Sequence, residues 1–272
     1  MPAIRISNSV PTHRNGGSFR TMKKSFILLL ILLLTCVYGI AMSDPLPIDG
    51  DLSGSFELPY EDDQPSAGSF VYSWRYPHIS GDDPSASQIN SFYQMLENDA
   101  RNYDVPMRAE MYRSDGISAR YDIHYEVHCN NDDFFSVLIL TDITEGDEHF
   151  TRWEGNTFSR REGMTGLTFD LPRLLGKLKA MENDEFIETR QTEKINEAVR
   201  SLVLKKIREN PDQLPFYPDI LPDDLMLFSP DADFYLDENG QPVFYVYPGD
   251  VAPPENGYMI FPLTLEEIDD EL

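Results

Sequence analysis

The chain has 272 residues, 41% of them hydrophobic and 12% aromatic, which is enough for one large domain or two small ones. Its formal charge of −25 is uneven: residues 1–43 carry five basic residues and no acidic ones, which leaves 17 basic against 47 acidic residues, or −30, in the remainder. Such a field repels DNA, RNA and anionic lipid, so it argues against nucleic-acid binding. It favours a basic partner, or it serves only to keep an exported domain soluble.

The N-terminal 43 residues have the layout of an export signal. Residues 26–42 contain no charge, Lys23 and Lys24 come directly before them, and Gly39, Ala41 and Ser43 supply small side chains for cleavage. Without cleavage, this apolar segment is at the lower length limit for a membrane anchor. Either way residues 44–272 are predicted to be extracytoplasmic. The pattern leaves open whether translation begins at Met1 or Met22, and whether the signal is cleaved, lipidated or retained.

Residues 44–68 are rich in Pro, Gly, Ser and acidic residues, which predicts a disordered linker. Alternating aromatic residues predict a strand from Phe70 to Tyr76. A helix start at 82–85 and apolar residues at helical spacing predict a helix that ends near Pro106. Strands are then predicted over 107–113, 117–129, 134–143, 148–154 and 165–170.

From Leu171 onward the apolar period becomes helical, up to a proline-rich stretch at 211–222. A hairpin follows, with strands at 234–236 and 243–247 around the turn 237–240, and then a short strand at 258–263. The fold class is α+β, with antiparallel sheets, packed helices and two closely associated subdomains at 69–165 and 166–265. Residues 266–272 are predicted to be an acidic tail. Cys129 is predicted to be a small core residue.

Three segments, in the same order along the chain, resemble the extracytoplasmic module of RsiV-type anti-sigma factors, which sense lysozyme, and the N-terminal, non-catalytic domains of PdaC-type deacetylases. The first segment is residues 76–81 with Ile89 and Asn90. The second comprises 125–127, Asn130, 136–137, 146–149 and 168–170. The third comprises 234–236, Gly240, 243–246, Pro248, 251–253, Gly257 and 260–262.

The resemblance implies the sensor or binding half of these proteins, a family of largely unknown function. The segment before the apolar run is short and has no helical period, which argues against sigma-factor binding. No deacetylase domain is expected after the module, because the sequence ends at Leu272.

One strand carries the candidate metal ligands. Asp122, His124, Glu126 and His128 alternate along 117–129 and therefore share a face. His124, Glu126 and His128 could hold Zn²⁺ for a metal-dependent hydrolase. A polar face is also typical of any half-exposed antiparallel strand.

The other candidates are ligand-binding residues. His149 ends the acidic loop 145–149, and Tyr245 and Tyr247 belong to an aromatic-rich C-terminal stretch that could line a groove for a glycan or peptide, or simply form core. The motifs of nucleophilic, phosphate-binding, dinucleotide-binding and zinc-protease sites are absent, so neither an enzyme nor a cofactor is predicted.

The predicted function is a non-enzymatic binding or sensing module of the cell envelope whose partner is a basic protein such as lysozyme. The alternatives are a module that binds peptidoglycan or another cell-wall glycan, and the hydrolase. Membrane contact is predicted only through residues 26–42.

Overall fold

The computed structural model describes residues 44–59, 68–179, 184–209 and 216–272. The predicted basic stub and apolar segment in residues 1–43 lie outside this part of the chain. Within the described part, no helix is long and apolar enough to span a membrane.

A five-stranded sheet with the order β1-β2-β3-β4-β5 forms the larger half of the α+β fold. Its strands are β1 (Ile48–Pro59), β2 (Ser69–Ile79), β3 (Ala119–Asn130), β4 (Phe134–Glu145) and β5 (Glu148–Ser159). The last three strands form an antiparallel meander, as the sequence predicts. The predicted strand at 165–170 is wrong, because that segment makes only one bridge, between Phe158 and Thr168.

β1 corrects the prediction of a disordered linker for residues 48–59, since they pair with β2 along its length. Residues 60–67 of the predicted linker lie outside the described part of the chain. The segment before β1 is also fixed: the Asn130 side chain accepts from the Leu46 N–H at 2.7 Å and donates to the Leu46 carbonyl at 3.0 Å. Leu46 is buried. The prediction of disorder from composition failed because backbone hydrogen bonds to β2 keep residues of low strand propensity in an extended strand.

The sheet is mixed rather than antiparallel, because β2 and β3 run parallel from the pair Phe70–Ala119 to the pair Trp74–Ile123. A parallel pair needs a crossover, and helices supply it. They are α1 (Ala86–Asp99), a π-helical turn (Ala100–Asp104) and α2 (Val105–Asp115). The strand predicted at 107–113 is therefore wrong. Pro106 follows the π-helical turn and lies inside a continuous helical run, because Asp104 and Val105 before it both have helical φ and ψ.

The C-terminal half combines helices with a three-stranded antiparallel sheet, β6-β7-β8. The helices are α3 (Leu171–Leu174), α4 (Glu185–Glu209) and 3₁₀ turns at Pro222–Leu225 and Pro254–Asn256. The strands β6 (Phe234–Leu236), β7 (Pro242–Val246) and β8 (Met259–Pro262) confirm the predicted hairpin and the strand after it.

A helix, α5 (Leu265–Glu271), replaces the predicted acidic tail. Thr264 and Glu267 form a reciprocal capping box at its start, and Ile268 is fully buried. A seven-residue helix of mostly acidic composition thus packs on the core through the buried side chain of Ile268.

Asp44–Leu272 forms one compact unit with two main hydrophobic cores. One core lies between the large sheet and the crossover helices, around Trp74, Tyr93 and Phe135. The other joins α4, the small sheet and α5, and it includes Cys129. Cys129 is a core residue, as predicted, and burial raises the pKa of its thiol to about 11. The boundary between residues 165 and 166 stays a prediction.

Candidate functional site

A cleft of about 640 Å³ lies beside β5, the strand at the edge of the large sheet. Three segments of the chain form its walls, and the third comes about 60 residues after the second. The lining residues are Glu154, Gly155, Asn156, Thr157, Leu167, Thr168, Phe169, Asp170, Arg173, Asp231, Ala232 and Phe234. We refer to it as the β5 cleft.

Gly155 brings the small sheet against β5. A Cβ atom at this position would lie 1.7 Å from the carbonyl oxygen of Phe234, so only glycine permits the approach of β6. The outward N–H groups of β5 are covered from the same side. Gly155 donates to the Tyr245 hydroxyl at 3.0 Å, and Trp153 donates to the Tyr258 hydroxyl at 3.1 Å.

The opposite wall of the cleft is attached to the end of β5. Phe169 donates its N–H to the Thr157 carbonyl at 2.8 Å, which places Leu167 and Asp170 beside the strand. Asp170 caps α3 by accepting from the Arg173 N–H at 2.9 Å. The cleft is therefore built from backbone hydrogen bonds and a helix cap, and its walls are fixed.

Charge in the β5 cleft is predominantly negative. Glu154, Asp170 and Asp231 contribute carboxylates, and the guanidinium of Arg173 is the one cation among the lining residues. Arg173 forms ion pairs with Asp170 and, at 3.0 Å, with Glu188. Its donors are thus directed at carboxylates that the protein itself supplies.

Two buried amides add acceptors. The Nδ2 of Asn156 donates to the Glu154 carboxylate at 3.3 Å and to the Gly155 carbonyl at 3.0 Å, and the Nδ2 of Asn196 donates to Asp231 at 2.6 Å. The Oδ1 atoms of both amides are buried without a hydrogen-bond partner, in side chains whose residues are 8% and 9% exposed. A buried acceptor without a donor costs about 1–3 kcal/mol. The arrangement suits a ligand that brings N–H donors and positive charge.

An aromatic cluster adjoins the cleft through Gly155. Trp153 stacks on Tyr258 with ring centroids 4.3 Å apart, and Tyr245 and Tyr247 pack around them. Asp233 lies at its base, where burial raises the pKa of the carboxyl to about 6. The Tyr247 hydroxyl donates to Asp233 at 3.4 Å.

The predicted ligand residues take different places in this region. Tyr245 is 1% exposed and its hydroxyl is used by the Gly155 N–H, so it supports the cleft from behind. Tyr247 is partly exposed. His149 is exposed near the start of β5, with Nδ1 3.3 Å from the Thr144 hydroxyl oxygen. It lies five residues before Glu154, roughly 17 Å along a strand.

The candidate metal ligands lie on a partly exposed face of β3, with Tyr121 and Ile123 buried on the other, as the alternation predicts. His124 Nδ1 lies 3.7 Å from an Asp142 carboxylate oxygen, and His128 Nε2 lies 3.2 Å from Glu126. His128 also packs on the Tyr235 ring at 4.2 Å. In the part of the chain that the structure describes, no three His, Cys, Asp or Glu side chains are placed to hold a metal ion. The geometry therefore adds no support to the hydrolase.

Two solved structures are similar to this chain. One is a member of the DUF3298 family from Bacteroides fragilis, with a TM-score of 0.47 and 16% identity over 82% of this chain and 92% of its own. The other is a DUF3298 family protein from Pseudomonas aeruginosa, with a TM-score of 0.44 and 12% identity over 83% of this chain and 94% of its own. No family model matches the sequence, and no curated protein matches it.

Sequence reasoning missed the residues of the β5 cleft, although one indication was present. Gly155 interrupts the sequence Trp153-Glu154-Gly155-Asn156-Thr157, and an isolated glycine within a strand indicates close approach of another backbone. Nothing in the sequence, however, relates Glu154 to Asp231.

Proposed function

We propose that this chain is a non-enzymatic binding or sensing module that works outside the cytoplasm, in the cell envelope, and that its partner is a basic protein such as lysozyme. The signal-like pattern in residues 1–43 supports the location. The resemblance to sensors of the RsiV type supports the class of partner.

The observation that carries the proposal is the unbalanced negative charge of the folded unit. Residues after 43 hold 47 acidic and 17 basic side chains. Within the described residues, seven of those basic side chains already form ion pairs with carboxylates: Arg101, Arg113, Arg160, Arg161, Arg173, Lys177 and Lys206. The surplus carboxylates therefore set the field that an approaching protein meets. A field of one sign accelerates association with a partner of the opposite sign.

Binding of lysozyme to the full chain, held in a non-ionic detergent, tests the proposal. We expect a saturable complex at about 0.01 M salt, with an association rate at least about tenfold lower at about 0.15 M salt, where charges are screened beyond about 8 Å. Lysozyme with succinylated amino groups keeps its size but loses its positive charge, and it should not bind. Absence of a complex at low salt would refute the proposal.

A second candidate is binding of peptidoglycan or another cell-wall glycan, favoured by the partly exposed Trp153–Tyr258 stack. Exposed aromatic faces are suitable platforms for apolar sugar faces. Co-sedimentation with purified wall material tests it, and Trp153→Ala should release the protein from the pellet. If the wild-type chain stays in the supernatant, the glycan function is wrong.

A further inference from the structure

We infer that the β5 cleft is the subsite that receives a single cationic side chain, an arginine guanidinium or a lysine ammonium, from the basic partner. The inference rests on the proposed function for the identity of the partner. It goes further in assigning the contact to Glu154, Asn156 and Asp231.

The first argument is the balance of donors and acceptors. Both amide nitrogens near the cleft, Nδ2 of Asn156 and of Asn196, donate to groups of the protein, and Arg173 is held by two carboxylates. Glu154 and Asp231 each accept one of these amide hydrogen bonds through a single oxygen. A carboxylate has about four lone-pair sites, so both retain capacity for a ligand's N–H groups.

The second argument is independent of the carboxylates. Asn156 lines the cleft, is 8% exposed, and leaves Oδ1 without a partner. Exchanging the oxygen and nitrogen of this amide would turn the oxygen toward the Glu154 carboxylate and the Gly155 carbonyl, where two acceptors would meet. The oxygen therefore keeps its present position, and no described residue donates to it.

The third argument is the shape and composition of the cleft. A volume of about 640 Å³ falls within the range of small-ligand pockets, about 300–1,000 Å³. Leu167, Phe169 and Phe234 supply apolar wall beside the polar groups. Lys and Arg have a long methylene stem and a charged head, which match a recess with apolar sides and acceptors.

Other ligand classes fit less well. An anion would meet three carboxylates and one cation that is already paired. A metal ion would need a group of three or more ligands, and the described residues place none together. An uncharged sugar would leave the carboxylates without counter-charge.

Two matched pairs of variants of the full chain test the assignment. Glu154→Gln with Asp231→Asn removes two charges from the cleft and keeps the side-chain shapes. It should raise the Kd for lysozyme at low salt at least about tenfold. The control, Asp147→Asn with Glu148→Gln, removes two charges from exposed positions near the start of β5 and should raise the Kd less than about threefold. Equal effects of the two double variants would overturn the inference and leave the proposed function standing.

The second pair removes an amide. Asn156→Leu deletes the unpartnered Oδ1 and the Nδ2 that donates to Glu154, and it should raise the Kd for lysozyme, whereas Asn98→Leu deletes an amide at an exposed position of α1 and should not. Thermal unfolding of each variant shows whether it is folded. If Asn156→Leu does not fold, the decision rests on the charge-removing pair.

A small-molecule probe separates the subsite from the partner. Nα-acetyl-arginine methylamide should shift the backbone amide signals of Gly155 and Asn156, and the neutral citrulline analogue should not. If lysozyme fails to bind while the arginine probe binds and is lost in the Glu154→Gln, Asp231→Asn variant, the proposed partner is wrong and the cation subsite remains. Equal binding of the citrulline analogue, or tighter binding of N-acetylglucosamine than of the arginine probe, would overturn the inference.

Discussion

The hydroxyl oxygens of Tyr245 and Tyr258 accept backbone hydrogen bonds that the carbonyls of a neighbouring strand would accept in a larger sheet. Their oxygens accept the outward N–H groups of Gly155 and Trp153, which a sheet edge would otherwise leave open to another chain. At the residue scale, two tyrosine hydroxyls therefore occupy two outward N–H groups at the β5 edge of the large sheet, beside the cleft. The sequence marked Tyr245 as a ligand residue because it is aromatic, and could not show that its hydroxyl is already used.

Tyr245→Phe should destabilise the chain by about 1–3 kcal/mol, because the Gly155 N–H would lose its acceptor in a buried position. Urea unfolding followed by circular dichroism measures the change. Tyr103→Phe is the control, since Tyr103 is 70% exposed, and it should alter the free energy of unfolding by less than about 0.5 kcal/mol. Equal stability of the two variants would show that the Tyr245 hydroxyl does not support β5.

Asp233 makes stability depend on pH. Burial raises its pKa to about 6 from a value of 3.8, and the carboxylates of Asp231 and Asp250 act in the same direction. The folded state therefore holds the proton more tightly than the unfolded chain does. The resulting stabilisation is complete below about pH 4 and is lost as the pH rises through about 6.

Asp233→Asn should remove this dependence. Between about pH 4 and about pH 7 the free energy of unfolding of the wild-type chain should fall by about 3 kcal/mol more than that of the variant. Asp147→Asn, at an exposed position, should keep the wild-type slope. Denaturant titrations at each pH measure the slopes, and parallel curves for wild type and Asp233→Asn would contradict the assignment.

At the scale of elements, the success of sequence reasoning depends on what builds each element. In β2 the aromatic residues that alternate along the strand are all buried, so the alternation correctly predicts that one face of the strand lies in the core: Phe70, Tyr72, Trp74 and Tyr76. In β1 the alternation is weaker: Leu52 and Leu58 are only partly buried against that core, Gly54 has no side chain, and Phe56 beside Phe70 is exposed. Its pairing with β2 comes from the backbone, which composition does not report.

The helix predicted from 82–85 to near Pro106 is confirmed by α1 and the π-helical turn, whereas the predictions for α2 and α5 failed for a different reason. Pro106 suggested a helix end, yet the π-helical turn before it leads directly into α2. For α5 the acidic composition led to the prediction of a tail, although the sequence contains a capping-box pattern, with Thr264 three positions before Glu267. The β5 cleft lay beyond prediction because its third wall, residues 231–234, meets the other two only through contacts between residues distant in sequence.

Gly155→Ala tests the docking of β6 on β5. The added methyl group would overlap the Phe234 carbonyl oxygen, so the small sheet must move away, and we expect a loss of about 3 kcal/mol. Arg152→Ala, at an exposed position of the same strand, controls for a change in strand propensity and should cost less than about 1 kcal/mol. A Gly155→Ala chain as stable as wild type would show that the two sheets can separate without penalty.

At the scale of the whole molecule, the negative charge on which the proposed function rests also opposes folding. Residues after 43 bring 47 acidic and 17 basic side chains into one compact unit, so carboxylates repel one another more in the folded than in the unfolded state. The single buried thiol, Cys129, offers no cross-link within the described residues to offset this repulsion. Stability must then come from the two cores.

Salt should therefore stabilise the chain while it weakens lysozyme binding. Raising NaCl from about 0.01 M to about 1 M shortens the screening length from about 30 Å to about 3 Å. We expect the free energy of unfolding to rise by at least about 1 kcal/mol, or about 2–4 °C in Tm. Choline chloride at the same ionic strength should have a similar effect if screening is the cause, whereas a response to sodium alone would indicate a bound ion. A Tm that falls with salt would mean that the ion pairs outweigh the surplus carboxylates, and the electrostatic basis of the proposed function would fail with it.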